Sequence, residues 1–194
     1  MVRAFIAVDL PVDVRSTSGR PTQAPTHLTL RFLGEVRPEE MPEIGRALGR
    51  AVEGRPAFLV HLRGVGAFPN ARVPKVVWIG IEEGARELTE IANRISDELE
   101  LLGRPREPRP FVPHLTLMRV RDRRSSEEAY RWLTAEAERD FGTLPVREVF
   151  LKESLLTREG PIHTVIQTSP LTGDLVSPPG ATPGPTPNDQ PPSA

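Results

Sequence analysis

The tetrapeptide His-Leu-Thr-Leu occurs twice in this 194-residue chain, at residues 27–30 and again at 114–117. Both copies lie inside apolar, β-prone runs, HLTLRFL and PHLTLMRV. Consecutive side chains of a strand point to opposite faces. His27 and Thr29 therefore share one face, with Leu28 and Leu30 turned to a core, and His114 and Thr116 stand in the same relation to Leu115 and Leu117. A strand repeated in this way implies two similar lobes whose sheets confront each other across a cleft. Two imidazoles and two hydroxyls would then converge on one small volume.

That constellation has a definite chemical use. An unperturbed imidazole titrates near pH 6.5, so one histidine can serve as base while another serves as acid. Each such proton transfer contributes about 10²- to 10⁴-fold in rate. Threonine hydroxyls are uncharged donors suited to the non-bridging oxygens of a phosphate. Two histidines with no Asp or Glu in the motif make a poor metal site. The chain also lacks GxSxG, HExxH and the phosphate-cradling GxxxxGK[ST]. The simplest reading is phosphoryl transfer by histidine acid–base catalysis, with no metal and no cofactor. His61 and His163 have no threonine two residues on and read as ordinary strand histidines.

Composition narrows the setting. Lys and Arg number 25 against 26 Asp and Glu, a net charge of −1, which argues against nucleic-acid binding driven by bulk positive charge. A local basic cleft is still compatible with that balance. With no cysteine, a disulfide scaffold, a thiolate zinc site and a cysteine nucleophile are all excluded. No apolar run approaches the roughly 20 residues that span a bilayer. Residues 1–10 carry an arginine and an aspartate and make a poor signal peptide. A soluble, cytoplasmic, monomeric protein is expected, with no membrane partner.

Two periodicities alternate along residues 1–170. Strands are predicted over 2–10, 27–33, 57–65, 73–81, 113–120, 146–156 and 162–168. Helices are predicted over 38–52, over 82–102 and over 125–141, the last opened by Ser125 and Glu128 at capping-box spacing. This is an α+β pattern with helices packed outside sheets. Residues 171–194 hold seven prolines, three glycines and no aromatic residue. Such a segment cannot bury enough apolar surface to offset its ordering entropy, so it is expected to be a disordered Pro-rich tail.

The duplicated HLTL, the opening RAFIAVDLP, the continuation HLTLRFLGEV, PHLTLMR and the segment GVGAFPNARVPKVVWIGI together resemble the 2H phosphoesterase superfamily. Within it they are most similar to the RNA 2',3'-cyclic phosphodiesterases, also called 2'-5' RNA ligases. The resemblance runs from about Arg3 to Leu171. It implies two pseudo-symmetric lobes, each an antiparallel sheet with helices outside, and a catalytic cleft between them. It further implies hydrolysis of RNA 2',3'-cyclic phosphate ends to a 2'-phosphate without a metal, and joining or cleavage of 2'-5' linkages such as those in tRNA halves. Carried over by position, His27 is the proton donor, His114 the proton acceptor, and Thr29 and Thr116 bind phosphate.

Two arginines join this list. Arg119 matches an arginine that the family places on the phosphate, but five residues after His114 it reaches the cleft only if the strand bulges or ends after Leu117. Arg31 has the parity of His27 and Thr29 and matches a basic position of the first motif. Phe5, Phe32 and Trp78 are read as core, with base stacking as the other use of such rings. The chain departs from the family between Pro11 and His27. There most members carry a helix, and here a Ser-, Thr-, Pro- and Gly-rich stretch reads as a loop that leaves one cleft wall more open. Two other functions fit the same residues: a phosphodiesterase for small cyclic phosphates, such as ADP-ribose 1'',2''-cyclic phosphate or cyclic nucleotides, and an RNA-end-binding module without turnover. The histidines argue against the second, since binding phosphate alone is better served by Lys or Arg.

Overall fold

The computed structural model describes residues 1–10, 27–157 and 160–176. Two sheets carry the fold. The first is four-stranded and antiparallel, in the order β2-β1-β7-β8. Its strands are β1 (Val2–Asp9), β2 (His27–Val36), β7 (Glu148–Leu156) and β8 (Pro161–Pro170). The second runs β5-β4-β3-β6, built from β3 (Pro56–Phe68), β4 (Val76–Glu83), β5 (His114–Arg119) and β6 (Asp140–Val146). The helices are α1 (Met41–Val52), preceded by a 3₁₀ turn at Pro38–Glu40, α2 (Ala85–Glu100) and α3 (Arg123–Ala135).

The apolar stripe expected on α2 is the one buried: Leu88, Ile91, Ala92, Ile95 and Leu99. Met41, Ile44, Leu48 and Val52 do the same for α1. They pack with Ile6, Val8, Leu28, Val77, Ile79 and Leu115 into one core shared by both sheets. Because β2 and β5 each occupy the edge of a sheet, the two HLTL strands are free to lie against one another, and they do. The α+β class with two antiparallel lobes therefore matches the expectation.

Several boundaries differ from it. The third helix starts earlier and ends sooner than 125–141. Asp122, not Ser125, is its N-cap: Asp122 Oδ1 accepts from Ser125 N at 2.8 Å, and Ser125 Oγ accepts from Asp122 N at 3.0 Å. Residues from Asp140 onward leave the helix because they pair with β3 as β6, with Gly142 at φ +89° supplying the left-handed bend.

The folded unit also does not stop at Pro170. Leu171 is buried, its N–H donates to Arg147 O at 2.8 Å, and β9 (Thr172–Val176) runs parallel to β3. Averaging composition over 171–194 hid the fact that its first six residues, LTGDLV, are aliphatic enough to be anchored. The rest of the Pro-rich tail and the stretch read as a loop at 11–26 lie outside the described residues.

Candidate active site

Each HLTL strand is bulged at the same place, and the bulges decide which side chains line the cleft. In β2, Ala7 pairs with Thr29 but the next partner, Ile6, pairs with Arg31, so Leu30 is the inserted residue. In β5, Trp78 pairs with Thr116 and Val77 with Met118, so Leu117 is inserted. An extra residue resets alternation by one. After the bulge Arg119 therefore returns to the face of His114 and Thr116, opposite Val76, as its expected role requires.

The same reset removes Arg31 from the cleft, contrary to the parity reading. Arg31 shares the face of Ile6, which is core, and is itself buried. Its guanidinium donates to the Pro105 carbonyl and pairs with Glu107 at 3.6 Å. It borders a separate pocket between α2 and the 106–111 segment, lined in part by Asn93, Ser96 and Phe111. Phe32 takes the position in β2 that Arg119 takes in β5, paired with Phe5 and 59% exposed rather than core.

His27 stands on the cleft face opposite Asp9. Its ring lies 5.1 Å from Phe5 and 4.9 Å from His163, edge to face. Since β2 and β8 are opposite edges of their sheet, that contact means the sheet is strongly curled over the cleft. Lys152, almost wholly buried, shares this face and donates to Asp9 Oδ1. Burial, then His163 and Lys152, hold the His27 imidazole down at about 4, with Asp9 opposing. His27 Nδ1 is buried with no hydrogen-bond partner among the described residues. An unpartnered acceptor there costs less than an unpartnered donor of an imidazolium.

His114 has different company. It faces Gly80, and its ring meets Phe68 at 5.0 Å and Trp78 at 6.4 Å. Trp78 lies over Gly66, where an added Cβ would come within 2.3 Å of the indole. His114 Nδ1 is 2.8 Å from the Val112 carbonyl, the geometry of an Nδ1–H donating to it, which leaves the Nε2 lone pair available. Burial lowers its affinity for a proton, the Val112 carbonyl works against that, and Arg119 adds a smaller push downward. Neither threonine hydroxyl, of Thr29 or Thr116, is engaged in a hydrogen bond among the described residues, so both can serve a ligand.

His61 behaves as expected of an ordinary strand histidine, bridging Asp140 at 2.9 Å and Glu82 at 3.0 Å. His163 does not. It, Asp9 and Lys152 are site residues that the sequence reading missed. The one available signal was charge inside apolar strands: Asp9 two residues beyond Ala7 in β1, and a lone lysine in VFLKESLL. Among the described residues no group of three or more His, Cys, Asp or Glu side chains is placed to hold a metal. No helix among them is long and apolar enough to cross a membrane.

Comparisons with known proteins bear on the family and the fold. Residues 13–155 match the family model described as the 2'-5' RNA ligase superfamily. The chain is 38% identical over 175 residues to the RNA 2',3'-cyclic phosphodiesterase of Archaeoglobus fulgidus, covering 84% of this chain and 96% of that one. It is also 38% identical over 140 residues to the Aeropyrum pernix protein of the same name, covering 72% and 78%. Among solved structures, Escherichia coli LigT in complex with NADP+ superimposes with a TM-score of 0.65 at 30% identity, over 89% of this chain and 98% of that one.

Proposed function

From the chain's membership of the 2'-5' RNA ligase superfamily, we propose that it is an RNA 2',3'-cyclic phosphodiesterase that opens the cyclic end to a 2'-phosphate without a metal. The observation that carries this reading is the paired geometry of β2 and β5. Two edge strands lie against one another, each bulged at its second leucine, with His27 and Thr29 on one face of β2 and His114 and Thr116 on one face of β5.

In this reading Thr29, Thr116 and Arg119 hold the non-bridging oxygens, donating hydrogen bonds and positive charge where negative charge grows. The Nε2 lone pair of His114 takes a proton from water as the water oxygen bonds to phosphorus. The bond from phosphorus to O3' breaks on the far side, and O3' takes a proton from His27 Nε2. The two histidines end with their protonation states exchanged and reset through solvent. A 5'-hydroxyl in place of water runs the same displacement to a 2'-5' linkage, which tRNA halves would supply. A site built from one chain supports action as a monomer, and a chain without cysteine suits the reducing cytoplasm.

An RNA oligonucleotide ending in a 2',3'-cyclic phosphate, incubated with the protein in excess EDTA, tests this reading. The expected product is the 2'-phosphate, with turnover falling by about 10²- to 10⁴-fold in His27→Ala and in His114→Ala. A 3'-phosphate product would reverse the leaving group and overturn the assignment. Turnover of small cyclic phosphates but not of RNA would move the substrate class.

A further inference from the structure

The cleft face of the first sheet holds an ion pair that the phosphodiesterase chemistry described above does not use. Asp9 lies directly across the strand pair from His27, and the Lys152 ammonium, brought over by the curl of the sheet, donates to the Asp9 carboxylate. Lys152 is 6% exposed, although lysine is among the residues least often buried. The exposed His163 closes the group from the opposite edge, its ring in contact with both His27 and Phe5. Among the described residues these three, from β1, β7 and β8, are the charged and titratable groups of the first sheet that face His27, and β5 across the cleft carries His114 and Arg119. Among the described residues the second lobe has no such ion pair: the equivalent places beside His114 hold Gly80 and Phe68, and the charge that acts on His114 is Arg119.

We propose that the Asp9–Lys152 pair and His163 are positioning residues that set the charge state of His27, so that its imidazole takes up a proton only when an anionic substrate lies beside it. The argument is electrostatic. A buried cation and a second imidazole oppose a charge on His27, whereas Asp9, which favours one, has its carboxylate engaged by the lysine. A phosphate entering between the threonines supplies the missing negative charge. His27 then becomes an imidazolium at the moment an acid is needed, and it is a strong one because nothing at its buried Nδ1 stabilises the proton. The inference rests on the reading of His27 as proton donor, but its test does not require turnover.

The test is an NMR titration of the His27 ring, assigned by its loss in His27→Ala, on the full chain without RNA. Lys152→Met and His163→Phe should each raise the His27 midpoint by roughly half to one pH unit, and Asp9→Asn should lower it. Lys152→Arg, which retains the charge, should leave it near the wild-type value. Inorganic sulfate should raise the wild-type midpoint. A purely structural role for these residues predicts loss of stability with no opposed shifts. Midpoints that stay within about 0.2 unit of wild type in both Lys152→Met and His163→Phe, or move the same way in Lys152→Met and Asp9→Asn, would overturn the proposal. No response to sulfate would overturn it too. Full turnover by His27→Ala would instead remove the proton-donor role and leave the titration result standing.

Discussion

His27 and His114 occupy equivalent places in strands of one pattern, yet what lies beneath them differs. The first lobe surrounds its imidazole with Asp9, Lys152 and His163. The second surrounds its own with Phe68, Trp78 and the backbone carbonyl of Val112. At the position just beyond the bulge the contrast inverts, with an exposed aromatic ring, Phe32, in the first lobe and a cation, Arg119, in the second. A duplicated backbone supplies two imidazoles in mirrored positions, but displacement at phosphorus needs one to give a proton and the other to take one. Symmetric surroundings would give two similar groups. Here the fold keeps the strands alike and changes what they stand on.

Exchanging the features that differ between the lobes should break this division in graded ways. The largest loss after the histidines themselves should come from Arg119→Met, about 10- to 100-fold in kcat/KM for a cyclic-phosphate RNA, because it removes the one cation that the bulge returns to the cleft. Arg31→Met, at the corresponding basic position before its own strand's return to the cleft, should leave KM within about twofold and instead cost about 1–3 kcal/mol of stability, since its buried guanidinium serves the Pro105 carbonyl. Equal kinetic losses in the two variants would mean that the bulges do not sort these arginines.

Gly66→Ala should destabilise the protein by about 1–3 kcal/mol in chemical denaturation and displace Trp78, because the new methyl meets the indole at 2.3 Å. The smallest effect expected is on the pH profile. Both histidines are pushed below the usual imidazole range, His27 to about 4. Activity needs one of them charged and one neutral, so kcat/KM should follow a bell whose maximum lies on the acid side of pH 6.5. A maximum at pH 7.5 or above would contradict the electrostatics of both lobes.

How far the sequence could be read follows from the same residues. Leu28, Leu30, Leu115 and Leu117 announced a duplicated strand with its polar face to a cleft, and the stripe from Leu88 to Leu99 announced a helix against it. Side-chain alternation carried the reading only as far as Thr29 and Thr116. Leu30 and Leu117 look like ordinary core leucines in the sequence, and nothing in their chemistry marks them as inserted residues. Alternation therefore favoured Arg31 and disfavoured Arg119, the reverse of the structure. Lys152 and His163 were illegible for a related reason. Their nearness to His27 depends on the curl of a four-stranded sheet, a long-range property that no local pattern encodes. Val176 marks the limit of composition as a guide, because a Pro-rich average concealed a buried Leu171 and a five-residue strand paired with β3.

The division of labour between the lobes is tested most directly by changing the leaving group. A cyclic phosphorothiolate RNA end with sulfur at the bridging 3' position departs as a thiolate and needs no proton. If His27 is the donor and His114 the acceptor, His27→Ala should regain most of its lost turnover on this substrate, within about tenfold of wild type, while His114→Ala stays about 10²-fold or more down. Recovery by His114→Ala with none by His27→Ala would exchange the two roles. Recovery by neither would contradict the claim that the lobes divide one proton transfer between them.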